Sequence, residues 1–193
     1  MGEQEFVMSA DNEMRFRILH AVDRSLEKIT VAQICENAGV SRNTFYRYFD
    51  SKYDIPTWHG RYCQLFYLNE VGRTIDWRTG YFHDFRLLSE ERAFYRHALD
   101  YTVYSSEGLQ AMEDHRRAVI HETLCDYRHV KVDGCLAFCI DTFVRTETEV
   151  MAEWLRNEFE PAPSVFVDYM LAIVPERLYH AMDLSADAHA ERR

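Results

Sequence analysis

Glycine and proline are scarce in this sequence, with seven and four residues respectively in a chain of 193. These residues punctuate turns, so their scarcity argues against a protein built from many short strands joined by tight turns. The chain also lacks a run of about 18 apolar residues, so we predict no membrane-spanning helix. The apolar residues recur mostly at helical spacing, and we therefore predict an all-α protein.

The sequence lacks the paired cysteine spacing of common structural zinc sites. His121, Cys125 and His129 recur at four-residue intervals, and Cys135 and Cys139 form another pair at this spacing. Exposed histidines and small buried thiols explain these patterns more simply than a metal does. We predict no metal and no cofactor.

Enzyme motifs are missing as well, including the nucleophile elbow, the P-loop and the zinc-peptidase helix. Three carboxylates that a catalytic site could use, Glu147, Glu149 and Glu153, fit a solvated helix face better. We therefore predict that the protein is not an enzyme. The acidic N-terminus has no apolar core of a secretory signal, which with unpaired cysteines favours a reduced cytoplasmic setting.

Basic residues are fewer than acidic ones, 22 against 32, so the net charge of the chain is −10. This charge argues against a protein that coats nucleic acid over its whole surface. From Lys28 to Lys52, however, four basic residues outnumber two acidic ones. A locally positive segment on an acidic body is compatible with specific DNA binding.

That positive segment has the pattern of two short helices joined by a tight turn. Thr30 stands where an N-cap is expected, Gly39 where a left-handed C-terminal residue is expected, and Ser41 where the next helix begins. The first of these helices has one apolar face, formed by Val31, Ile34, Cys35 and Ala38.

The second short helix buries Phe45 and Phe49, which are four residues apart. Its other face then presents hydrogen-bonding side chains to solvent: Arg42, Asn43, Thr44, Tyr46, Arg47 and Tyr48. These side-chain types suit a helix that lies in a DNA groove. The alternative is a three-helix core whose polar face is only solvated.

The stretch GVSRNTFYRYFDSKYD resembles the DNA-binding signature of the TetR/AcrR family of transcriptional regulators. One departure is Tyr48, which stands where many members have histidine. The stretch SKYDIPTW further resembles a branch that includes activators of dihydroxyacetone-kinase operons. The family resemblance implies contacts to base edges or phosphates by Thr30, Arg42, Asn43, Thr44, Tyr46, Tyr48 and Lys52. Ser41, at the N-terminus of the second short helix, and Arg47, on its exposed face, complete the candidate DNA-binding residues.

Helices should brace this segment on both sides. We predict a first helix from Asp11 to about Glu27, whose buried face carries Ile18, Leu19, Val22 and Leu26. A capping box at Ser51 and Asp54 should start a fourth helix, with Lys52 in its first turn and its ammonium free to reach a phosphate.

The middle of the chain is rich in aromatic residues, whose apolar walls and polar tips suit a small-molecule pocket. The family resemblance implies a pocket for an effector there. Our candidates for its lining are Tyr67, Phe85, His97, Tyr101 and Tyr104. The alternative for each is an ordinary core position.

Two C-terminal helices, one from Cys135 to Glu158 and one from Ser164, are apolar on more than one side. This pattern predicts a homodimer built on a four-helix interface, two helices from each chain. The candidate interface residues are Phe138, Phe143, Met151, Trp154, Phe166 and Met170. A fully buried pair of helices in a monomer is the alternative.

Together these features predict a DNA-binding domain over residues 1–54 and an effector-binding and dimerisation domain over residues 55–193. We expect a homodimer on a palindromic double-stranded operator, with half-sites about one helical turn apart. Repression in response to a small molecule is the commoner mode in the family, and activation is possible. The competing hypothesis is a degenerate relative that binds a protein partner and does not bind DNA.

Overall fold

The structure is a computed structural model that describes residues 9–98 and 106–184. These residues form ten α-helices and no strand, apart from a lone bridge between Val71 and Ile75. The all-α prediction is therefore confirmed. The helices are α1 (Ala10–His20), α2 (Val31–Ala38), α3 (Arg42–Tyr48), α4 (Asp54–Phe66), α5 (Trp77–Glu90), α6 (Arg92–Ala98), α7 (Ser106–Glu122), α8 (Gly134–Arg156), α9 (Pro163–Ile173) and α10 (Glu176–Ala181).

The chain divides into two compact units, which we call unit one and unit two. Unit one comprises residues 1–58 and 93–103, and unit two comprises the rest. In unit one, α1, α2 and α3 pack against one another around fully buried Ile18, Ile34 and Phe45. The backbone N–H of Leu26 donates to the carbonyl of His97 at 3.1 Å, which attaches α6 to this core.

The first helix is shorter than the sequence predicted, because α1 ends at His20 and not near Glu27. The backbone N–H groups of Ala21 and Val22 close the helix on the carbonyls of Ile18 and Leu19, respectively. Val22 and Leu26 are nevertheless buried, as their spacing predicted, although they lie in the turns that follow. The prediction that these two residues are buried is therefore correct, whereas the prediction that they are helical is wrong.

The fourth helix also begins later than predicted, at Asp54. The Asp54 carboxylate accepts from the backbone N–H of Ser51 at 2.7 Å, and the Ser51 hydroxyl accepts from the N–H of Tyr53 at 3.2 Å. These bonds fix a turn over residues 51–53. Lys52 lies in this turn and not in the first turn of α4.

In unit two, α5 packs against α9 and α7 packs against α8. An aromatic cluster fills the space between them: Phe85 contacts Trp154 and Phe166, with ring centroids 5.1 and 4.9 Å apart. Trp154 stacks on Phe166 at 4.6 Å. In the described ranges, no helix has both the length and the apolar character needed to cross a membrane.

Candidate nucleic-acid interface

Both short helices of the α2–α3 pair have the predicted caps. The Thr30 hydroxyl accepts from the N–H of Gln33, and the Gln33 side chain accepts from the N–H of Thr30, which completes a capping box. Gly39 follows α2 with a φ of 64°, the left-handed conformation that glycine adopts without strain. The Ser41 hydroxyl caps α3 by accepting from the N–H of Thr44 at 3.0 Å.

Aromatic side chains fix α3 on the rest of unit one. Phe45 has no exposed surface and Phe49 is 4% exposed. The rings of Phe49 and Trp58 pack in a T-shaped arrangement with centroids 5.8 Å apart. Trp58 makes the same kind of contact with Phe16 of α1, at 5.2 Å between centroids. Because these rings hold one face of α3, the opposite face has a fixed direction toward solvent.

The exposed face of α3 carries free hydrogen-bonding groups. Within the described part of the chain, the side chains of Arg42, Asn43 and Tyr46 make no hydrogen bond or ion pair. Tyr46 is 53% exposed although it is a large aromatic residue. A guanidinium can bind guanine through two hydrogen bonds and an amide can bind adenine in the same way, so this face has the donors and acceptors for base recognition.

Ser41 and Thr44, two other predicted DNA contacts, interact with each other at the start of α3. The hydroxyls of Ser41 and Thr44 lie 2.9 Å apart and share one hydrogen bond. The Ser41 oxygen also caps the helix, so its position is fixed by the backbone. These two hydroxyls are ordered by local bonding before any ligand arrives.

The end of α3 makes a polar contact with α1. Arg47 donates to the Tyr48 hydroxyl at 2.6 Å, and this hydroxyl donates to the Asp11 carboxylate at 3.1 Å. The Arg15 guanidinium lies 5.6 Å from the Tyr48 ring centroid. The sequence singled out Arg47 and Tyr48 but gave no sign that Asp11, an acidic residue distant in sequence, meets them.

Lys52 and Thr30 differ from the expectation in how their polar atoms are used. The Lys52 ammonium, expected to be free, donates to the carbonyls of Ile29 at 2.8 Å and Glu27 at 3.4 Å. The Thr30 hydroxyl lies 3.0 Å from the Gln33 amide oxygen as well as capping α2. Both groups bond within unit one, so a phosphate would have to compete with these bonds or share the atoms.

The candidate pocket residues belong to different parts of the structure. Tyr67 stacks on His83 with ring centroids 4.7 Å apart, whereas Phe85 has no exposed surface and belongs to the aromatic core of unit two. His97 is in α6 of unit one. Tyr101 and Tyr104 lie outside the described residues.

A buried polar cluster in unit two was missed by the sequence analysis. Glu147, expected on a solvated face, is 2% exposed and binds the equally buried Arg116 through Nε at 2.9 Å and Nη2 at 3.3 Å. The Tyr81 hydroxyl donates to the same carboxylate. Burial raises the pKa of Tyr81 well above its ordinary value, and the Glu147 charge raises it further. Asp84, which has no exposed surface, lies near this group.

The expected dimer interface needs a correction. Five of its six residues are buried within unit two, with between 0 and 7% of their surface exposed. They fill the chain's own core and cannot form a surface: Phe143, Met151, Trp154, Phe166 and Met170. Phe138 is the exception, with 68% of its surface exposed. On α9 the exposed apolar residues are others, notably Val165 at 43% and Tyr169 at 57%.

Comparison with known proteins agrees with the geometry of the α2–α3 pair. Residues 21–55 match the family model described as bacterial regulatory proteins, tetR family. No curated protein matches the chain. The matched residues span the turns that follow α1, the α2–α3 helix-turn-helix and the first two residues of α4. The α2–α3 pair is therefore similar to the DNA-binding helix-turn-helix domain of tetR-family regulators.

Proposed function

We propose that the protein is a transcription factor that binds a palindromic operator as a homodimer and releases or engages it in response to a small molecule. The observation that carries the proposal is the outer face of α3, where Arg42, Asn43 and Tyr46 have unused hydrogen-bonding groups. In this proposal residues 1–54 form the DNA-binding domain and residues 55–193 the effector-binding and dimerisation domain. Its place of action is the cytoplasm, where the operator is.

The contacts follow from the side-chain chemistry. Arg42, Asn43 and Thr44 would bind base edges or the nearest phosphates, and Tyr46 would bind a phosphate through its hydroxyl. Ser41 and Arg47 would add phosphate contacts at the two ends of α3. Tyr48, Lys52 and Thr30 would serve mainly as supports, because their polar atoms already bond within unit one.

Dimerisation is supported by the exposed apolar residues of α8 and α9. Val165 and Tyr169 are four residues apart on α9, so they share one face of this helix. Phe138 adds an exposed ring on α8. Covering such residues with the same face of a second chain would remove apolar surface from water and generate the two-fold symmetry that a palindromic operator requires.

The direction of regulation depends on which state the effector binds more tightly. A ligand that prefers the conformation unable to bind DNA produces a repressor that the ligand releases. A ligand that prefers the binding conformation produces the opposite response, as in an activator that needs its effector. We propose repression as the principal mode, and the resemblance of SKYDIPTW to an activator branch supports activation as the second.

The test is fluorescence anisotropy with DNA from the flanks of the gene, titrated over a range of salt concentrations. We expect saturation at two chains per site and a steep loss of affinity with salt, because several phosphate contacts release counterions. The double variant Arg42→Ala, Tyr46→Ala should lower operator affinity by at least about tenfold, since a good base contact such as that of Arg42 contributes about 1–3 kcal/mol and the phosphate contact of Tyr46 is lost as well.

The matched control is Arg24→Ala, which removes an exposed arginine of unit one that pairs with Asp23. This variant should bind the operator like the unaltered protein. Equal binding by the double variant and the control would contradict the role of α3.

A second candidate is a protein-interaction module that has lost DNA binding. It is favoured by the internal bonding of Lys52 and Tyr48, two side chains that would otherwise donate to phosphates. In that case the flanking DNA would bind no better than random DNA at any salt concentration. The double variant would then leave promoter regulation unchanged.

A further inference from the structure

Asp84 is a buried carboxyl group without a hydrogen-bond partner. It lies in the middle of α5 and has no exposed surface. Neither of its carboxyl oxygens has a partner among the residues that the structure describes. Because nearly all buried polar side chains in proteins are hydrogen-bonded, such a group requires an explanation.

The nearest positive charge does not supply that partner. The Arg116 guanidinium binds Glu147 through Nε and Nη2 and the carbonyl of Leu68 through Nη1 at 3.0 Å. The Tyr81 hydroxyl, one turn before Asp84 on α5, also donates to Glu147. Arg116 and Glu147 therefore neutralise each other, and the charge of Asp84 would remain uncompensated.

This arrangement is unfavourable for an ionised carboxylate. Burial raises the pKa of Asp84 well above its ordinary value, Arg116 offsets part of the effect, and Glu147 adds to it. A buried carboxyl without a partner lowers stability, and more so when it is charged. A bound donor that carries a positive charge would remove both penalties, since a charge-assisted hydrogen bond is among the strongest in proteins.

The surroundings of Asp84 favour an aromatic or aliphatic ligand body. Its neighbours on α5, Tyr81 and Phe85, have no exposed surface, and their rings stack with centroids 5.3 Å apart. Two turns earlier on the same helix, Trp77 is 2% exposed and its indole N–H has no partner in the described ranges. Ring faces attract cations, whereas the carboxylate of Asp84 disfavours an anion.

We propose that Asp84 anchors the effector and that this effector is a small organic cation, an ammonium or amidinium group on an apolar body. The inference rests on the proposed function, because it names the ligand class of the effector domain. The carboxylate and the cationic group form the recognition pair, and the rings of α5 contact the apolar part. A neutral molecule of equal shape lacks the charge that compensates Asp84.

The experiment compares ligands matched in shape but not in charge. The probes are benzylamine and 2-phenylethylamine, their alcohols, and phenylacetate, with binding measured by thermal shift and by calorimetry. At least one amine should stabilise the full-length protein, while its alcohol and phenylacetate should not. Equal stabilisation by amine and alcohol, or no stabilisation by any amine, would overturn the proposal.

The variant Asp84→Asn keeps the shape of the side chain and removes its charge. It should lower amine affinity at least tenfold and abolish the preference over the alcohol. Asp126→Asn is the charge-matched control, since Asp126 is an exposed carboxylate of the same unit, and it should retain the preference. Asp84→Ala is the second variant, chosen because alanine has the highest helix propensity, and it should behave like Asp84→Asn.

Anisotropy with operator DNA, measured on the same samples, separates this inference from the proposed function. Asp84→Asn should bind DNA without ligand like the unaltered protein. Amine binding without DNA binding would contradict the proposed function and leave the ligand class supported. DNA binding with amine selectivity retained in both Asp84 variants would overturn the ligand site alone.

Discussion

Glu147 and Asp84 are both buried carboxylates of unit two, but they differ in their partners. Glu147 receives hydrogen bonds from Arg116 and Tyr81, whereas Asp84 receives none from the described residues. A buried ion pair contributes little net stability when it is intact, because desolvation opposes the attraction of the charges. Removing one partner is much more damaging, since the other charge then remains buried and alone.

The Arg116–Glu147 pair makes the first prediction. The variant Glu147→Gln should lower the free energy of unfolding by about 3 kcal/mol or more, because it leaves the Arg116 guanidinium buried without a counter-charge. Urea denaturation followed by circular dichroism measures the effect. Glu149→Gln is the matched control on the same helix, and its exposed side chain should change stability by less than about 0.5 kcal/mol. Similar losses in the two variants would show that Glu147 is not the special position.

Asp84 makes a prediction about pH. Its folded-state pKa is raised above the ordinary value of 3.8, so from about pH 4 up to the raised pKa the folded chain keeps a proton that the unfolded chain has lost. The contribution of Asp84 to stability is therefore greatest at low pH and falls as pH rises through this window. The groups that set the shift are burial, Arg116 and Glu147, and the Cys63 thiol also lies within electrostatic range.

The variant Asp84→Asn has no proton to lose at this position. Its margin of stability relative to the unaltered protein should therefore increase as pH rises from about 4 toward the raised pKa of Asp84. Urea unfolding of both proteins across this range gives the margin directly. If the stability of the two proteins changed with pH in the same way, the pKa of Asp84 would be the same in the folded and unfolded chains.

The sequence contained a sign of the buried ion pair that was not used. Glu147 occupies a position in the apolar stripe of α8, which continues through Ile140, Phe143, Val144, Met151 and Trp154 at helical spacing. A carboxylate within such a stripe faces the core and needs a partner. Its partner could not be found from sequence, because Arg116 is on another helix and long-range pairing depends on how α7 and α8 pack.

Among the helices, the reliability of the prediction followed the strength of the local signals. The limits of α2 and α3 were predicted well because Thr30, Gly39 and Ser41 are strong caps. The end of α1 was missed because no glycine or proline follows His20, so apolar periodicity continued past the helix. Burial in the turns after α1 is fixed by tertiary contacts, including the bond from Leu26 to His97, which no local pattern reveals.

Gly39 makes a prediction for the connection between α2 and α3. The variant Gly39→Ala should lower stability by about 1 kcal/mol, because a side chain is strained at a φ of 64°. Gly134→Ala is the control: an added Cβ there meets no atom within 4 Å, and α8 should gain about 0.5 kcal/mol. Thermal unfolding measures both. A Gly39→Ala variant as stable as the unaltered protein would show that this turn relaxes to another conformation.

For the whole molecule, the all-α class and the N-terminal helix-turn-helix could be predicted from the sequence. Which residues of the C-terminal helices are exposed could not. Apolar residues of α8 and α9 identified helices with much buried surface, but the sequence could not distinguish burial within one chain from burial between two. Trp154 and Met170 proved to be core residues, and Val165 and Tyr169 remained exposed. Which face of an apolar helix the rest of the chain covers depends on tertiary packing.

The exposed face of α9 makes the last prediction. The double variant Val165→Glu, Tyr169→Glu should convert the proposed dimer into a monomer, because buried like charges would oppose each other across a two-fold interface. Light scattering measures the mass of the protein in solution. Anisotropy with operator DNA should show an affinity about 100-fold lower than that of the unaltered protein, because each DNA-binding domain then binds its half-site alone. Leu65→Glu, at a residue of α4 that is also 57% exposed, is the control and should remain dimeric. If the double variant stayed dimeric with full DNA affinity, the dimer would have to form through another surface, and the exposed ring of Phe138 on α8 would be the next residue to change.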